Sequence, residues 1–179
     1  MNSEIEQFSK DGFKNFGSNQ FRASADCFQQ CVTVMDEAGL TLDAAEMRNN
    51  LGVALVRVGD FKAAVEAIHG TDKLFADAGD IKKQGMALAN QASAYEGLKS
   101  FEEAIQAYEQ AIECFKASGE KKLLSVTLKN LSDLQLKTGK QYQAIASLQS
   151  AYQENPENNL KNNFFKRSLD KVINKITRR

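Results

Sequence analysis

Asparagine recurs at Asn50, Asn90 and Asn130, forty residues apart each time. A carboxamide carries a donor and an acceptor together, so such a ladder could hold the N–H and C=O groups of an extended backbone. Asparagine is a mediocre helix former, and its return at one helical position calls for a reason. The competing reading is that each amide bonds an adjacent helix and fixes register. Other reactive residues are sparse. His69 is the single histidine, and no nucleophile or carboxylate stands at a recognised spacing from it. Cys27 and Cys31 lie one helical turn apart and read as small residues in a helix interface. With Cys114 the cysteine count is odd, which points to free thiols in a reducing compartment. There is no P-loop, dinucleotide glycine motif or metal-ligand spacing. The expectation is a non-enzymatic chain with no catalytic residue, no metal site and no cofactor.

Composition sets the class. The 179 residues are 42% apolar and 26% charged, an ordinary globular balance. Twenty-three basic residues offset twenty-three acidic ones, so no overall charge recruits nucleic acid or membrane. No apolar run approaches eighteen residues. The opening Met1-Asn2-Ser3-Glu4-Ile5 lacks the basic start and apolar stretch of a secretory signal. A cytoplasmic location is expected.

The elements that must position these residues repeat with the same forty-residue interval. Gly39, Gly79 and Gly119 share it, as do Phe21, Phe61 and Phe101, and Ala64, Ala104 and Ala144. Each unit reads as two helices. Phe101, Ala104, Ile105, Tyr108, Ala111, Ile112 and Phe115 form one apolar stripe opposite Glu102, Glu103, Gln106 and Glu109. Helices are predicted over 4–17, 20–38, 41–58, 61–78, 81–98, 101–118, 121–138 and 141–154, with a ninth over 158–177. Glycine falls where left-handed caps and tight turns are needed. His69-Gly70 interrupts one second helix, at a cost of about 1 kcal/mol for the glycine, so a bend or close contact is expected there. A hairpin cannot bury both its faces, so the units must stack. The fold class is an all-α solenoid of four hairpins over residues 1–156, at 4–38, 41–78, 81–118 and 121–156. Residues 157–179 would form an amphipathic capping helix.

Asn50-Leu51-Gly52-Val53-Ala54-Leu55 followed by Gly59-Asp60-Phe61-Lys62-Ala63-Ala64 resembles the tetratricopeptide repeat (TPR). The third unit matches through Tyr95, Phe101, Ala104, Tyr108 and Ala111, and the fourth through Leu131, Gly139, Ala144, Leu148, Ala151 and Pro156. The first is poorer, with Ser24 where alanine is usual. The long period resembles the variety found in kinesin light chains, Pins-type adaptors and bacterial peptide-responsive regulators. Gly52 and Ala92 would let first helices approach closely, and the phenylalanine ladder would fill the gaps between helices.

The resemblance implies that first helices line a concave groove. Asn50, Asn90 and Asn130 would face it, with Asn49, Val53 and Arg57, then Met86, Ser93 and Glu96, then Lys129, Asp133 and Lys137 beside them. Neighbouring amides would stand about 10 Å apart, so an extended ligand rising about 3.3 Å per residue would meet one at every third residue. The carboxylate clamp of chaperone-binding TPR domains is disfavoured, because Phe13 replaces its first asparagine and Met86 and Asn90 its third-unit basic pair. The expected function is an adaptor or scaffold that binds an extended segment of a protein or peptide partner. One alternative is a structural subunit that self-associates or works through its convex surface. The other is a membrane-peripheral assembly factor using the C-terminal segment, where seven basic and two acidic residues give +5 and leave −5 on residues 1–156. A nucleic-acid partner is not expected, and membrane contact is the lesser reading.

Overall fold

The computed structural model describes residues 3–154, and within them the chain forms nine α-helices and no strand. They pair as hairpins: α1 (Ser3–Gly17) with α2 (Phe21–Glu37), α3 (Thr41–Val58) with α4 (Phe61–Ile68) and α5 (Thr71–Asp77), α6 (Ile81–Gly97) with α7 (Phe101–Ala117), and α8 (Lys121–Lys137) with α9 (Gln141–Glu154). The architecture is the expected TPR-like α-solenoid. The predicted helix over 158–177 and its capping role lie outside the described residues.

The second helix of the second unit is divided. His69 leaves helical geometry with ψ of 127°, and Gly70 takes φ of +76°. The Thr71 hydroxyl then donates to Ile68 O at 2.8 Å and reopens the chain as α5. The bend anticipated at His69-Gly70 is therefore a full break. His69 is exposed at its edge.

Turns between helices follow one scheme. A residue in the left-handed region ends the turn, and the next N–H reaches back five residues, as from Asp60 to Leu55 O and from Asp80 to Phe75 O, at 3.0 and 2.9 Å. Gly39, Gly79 and Gly119 fill this position in one set of turns. The other set holds Asn19, Gly59, Lys99 and Gly139, again forty apart, so two non-glycine residues carry positive φ. Such conformations cost an L-residue about 1–2 kcal/mol.

Within a hairpin, small residues permit close approach. A side chain on Gly12 would stand 2.6 Å from the Phe28 ring. Gly52 leaves room for Ile68, and Ala92, Ala64, Ala104 and Ala144 have no exposed surface. Ser24 substitutes for alanine because its hydroxyl has a buried partner, Gly12 O at 2.9 Å. Ser132 repeats this with Ala144 O at 2.7 Å. Between units, the half-buried Phe61 ring occupies the space left by Gly97, and Phe21 lies under the Arg57 guanidinium at 4.4 Å. Phe21 and Phe61 thus stitch the first unit to the second and the second to the third.

Candidate functional site

The first helix of each unit carries one column of residues at equivalent positions. Positions 46, 50, 53 and 57 of α3 recur three or four residues apart, on one face of the helix. One period earlier or later the column reads Glu6, Lys10 and Phe13 on α1, Met86, Asn90 and Ser93 on α6, and Val126, Asn130 and Asp133 on α8. Large apolar side chains remain open along it: Phe13 is 52% exposed, Met86 42% and Val126 54%. The fourth rung of the amide ladder is Lys10, so the asparagines belong to the last three units only.

Two cavities indent this face. A cavity of about 350 Å³ between α3 and α6 is lined by Asn50 and Asn90, by Asn49 and Met86, by Glu46 and Lys83 across its wall, and by Phe75 of α5. Asp80 and Lys82 complete it. Lys83 Nζ lies 2.8 Å from Glu46 and 5.9 Å from the centre of the Phe75 ring. Donation of a hydrogen bond to the Glu46 carboxylate holds the Lys83 ammonium above the usual lysine range, against the opposing effect of partial burial. The second cavity, of about 100 Å³, is bounded by Phe13, Phe16, Phe28 and Val53, with Asn50 as its polar edge. Phe13 and Phe28 meet edge to face at 5.1 Å.

Four of the predicted site residues, Asn49, Asn50, Met86 and Asn90, therefore share one cavity, and Val53 joins Asn50 in the other. Asn50 has only a soft 3.9 Å contact with Met47 Sδ. Asn49 differs from its neighbour. It is 8% exposed, and its Nδ2 donates to Ala45 O at 3.0 Å and to Thr71 Oγ1 at 3.1 Å. Its main work is to hold the start of α5. Arg57 is drawn aside onto Phe21. Lys129 and Asp133, on α8, line neither cavity, and Glu96 is taken by Lys137 in an ion pair.

Ser93 and Asn130 converge on Tyr108, which sequence reasoning placed only in a core stripe. The Tyr108 phenol is 1% exposed and lies 3.1 Å from Ser93 Oγ. Burial pushes it up to about 12; Ser93 and Asn130 draw it down, while Glu96 adds to the rise. Ser93, beside the ladder, is thus tied to its hairpin partner, while Asn50 has no such bond. The aromatic cavity was also missed. Its signal was present, since Phe13 and Val53 stand forty apart. Burial pushes the Cys31 and Cys114 thiols up, away from the reactive thiolate. Among the described residues no helix is long and apolar enough to cross a membrane.

Residues 7–173 match the family model described as soluble NSF attachment protein, SNAP. No curated protein sequence matches. Among solved structures, the apo form of RapI superposes with a TM-score of 0.78 at 17% identity, covering 88% of this chain and 58% of RapI. The chain thus spans little more than half of that protein. TPR-like repeats from a candidate kinesin light chain of Podosopora anserina give 0.72 at 13% identity, covering 98% and 96% of the two chains. MamA gives 0.52 at 16% identity over 90% and 97%. These likenesses establish the fold.

Proposed function

The chain belongs to the soluble NSF attachment protein family, and on that premise we propose that it is a non-enzymatic adaptor holding an extended segment of another protein. TPR-like folds of this kind generally serve as protein-interaction scaffolds. The family description names a protein that attaches another, NSF, which is a role of the same kind.

The observation that carries the reading is the joint lining of one open cavity by Asn50 and Asn90. Both amides come from equivalent positions of consecutive first helices, and Asn50 makes no closer internal contact than 3.9 Å to Met47 Sδ. Amides so placed suit backbone N–H and C=O groups, which makes recognition tolerant of sequence at those points. Phe13, Met86 and Val126 supply apolar contact along the same face. The test is a pull-down from cytoplasmic extract with wild type beside Asn50→Ala/Asn90→Ala/Asn130→Ala, each checked by circular dichroism. A folded triple variant should lose a specific band. Unchanged bands would move the function to the convex surface or to self-association.

A further inference from the structure

The larger cavity has no charge to spare. Glu46 and Asp80 lie 2.8 and 3.9 Å from Lys83 Nζ, and Lys82 Nζ pairs with Glu120 at 2.7 Å. An ionic side chain entering here would find no open counter-charge. What lacks a partner is one buried acceptor. The Asn49 nitrogen faces Ala45 O and Thr71 Oγ1, and the Thr71 hydroxyl proton is committed to Ile68 O. Both neighbours of that nitrogen accept, so the amide cannot be turned round without setting oxygen against oxygen. Asn49 Oδ1 is thereby fixed as an acceptor, and it is buried with no partner. A buried acceptor in this state gains strongly from an arriving donor.

We propose that this cavity receives a carboxamide side chain, glutamine or asparagine, from the bound segment, and that the smaller cavity receives an apolar side chain two residues away. The inference rests on the groove reading above. The incoming amide N–H meets Asn49 Oδ1, and its oxygen accepts from Asn90 or Lys83, which line the same cavity. A carboxylate would set acceptor against acceptor, and an apolar side chain would leave Oδ1 unpaired. Asn49 Oδ1 is closed to water in the free protein, so the wall yields as the ligand enters. Met86, unbranched and 42% exposed, is the part able to do so. Asn50 borders both cavities, so they lie side by side along the groove. In an extended segment, side chains two residues apart share a face at about 6.6 Å.

The test is fluorescence anisotropy against a positional-scanning library of nine-residue peptides. The expected result is selection of Gln or Asn at one position and of Val, Leu or Ile two residues from it. Glu, Met or Lys at the amide position should bind about ten-fold more weakly. Asn49→Ala should erase the amide preference. Because that change also releases α5, Met86→Trp, which fills the cavity from its rim, provides the second variant and should do the same. Binding that depends on Asn50 and Asn90 but shows no amide preference, or a preference that survives Met86→Trp, overturns this inference and leaves the groove reading intact. Absence of binding by any peptide, or binding indifferent to Asn50→Ala/Asn90→Ala, overturns the groove reading and this inference with it.

Discussion

At the scale of single residues, Tyr108 ties the site to its support. Its hydroxyl reaches Ser93 at 3.1 Å from a fully buried ring, so Tyr108→Phe leaves a hydroxyl underneath the groove face short of a partner. The expected loss at neutral pH is about 1 kcal/mol, read from urea denaturation. The phenol also carries a pH dependence of known sign. Its proton is held more tightly in the folded protein, at about 12 against an ordinary 10. Stability from this group is intact below pH 10 and falls as pH rises towards 12. The full swing is about 3 kcal/mol by linkage. Denaturation curves between pH 10 and 12 should show that fall in wild type and not in Tyr108→Phe. Thr71→Val is the companion prediction. It removes an acceptor from Asn49 Nδ2 and should cost about 1–3 kcal/mol, with parallel curves for both proteins above and below pH 10 as a control against alkaline effects.

At the scale of elements, the left-handed turn position gives the sharpest prediction. Lys99 holds φ of +63° where Gly59 and Gly139 occupy the same place. Lys99→Gly should therefore raise stability by about 1 kcal/mol, measured by thermal denaturation. Gly70→Ala should lower it by a similar amount, since φ is +76° at the α4–α5 break. These positions also show what was legible in the sequence. Period, helix pairing and glycine turns could be read because forty-residue spacing repeats chemistry as well as geometry. Asn19 and Lys99 escaped because their left-handed conformation is imposed by the turn and not advertised by residue type. The break at Gly70 was visible only as a weakness. Its consequence, Thr71 bonding Asn49 across twenty-two positions, is a tertiary contact that no local pattern encodes. For the same reason Asn49 and Asn50, adjacent in sequence and equal in type, could not be told apart, although one is buried and fixed and the other borders both cavities.

At the scale of the whole molecule, each unit is coupled mainly to its neighbours. Phe61 fills the gap at Gly97, Lys83 bridges to Glu46, and Lys137 bridges to Glu96. Equivalent faces therefore line up along the solenoid, and a linear partner can be held at several points whose individual contributions are small. The second helices present a different surface, with Glu102, Glu103, Gln106 and Glu109 of α7 all exposed. On the proposed function a partner lies along the first helices and not across this outer face. The most direct measurement is site-specific photo-crosslinking from extract, with the photoreactive amino acid placed in turn at position 86 on α6 and position 106 on α7. A defined adduct from position 86, lost when Asn50→Ala and Asn130→Ala are introduced in the same folded chain, is the predicted result. The same adduct from position 106 alone, unaffected by those substitutions, would contradict it.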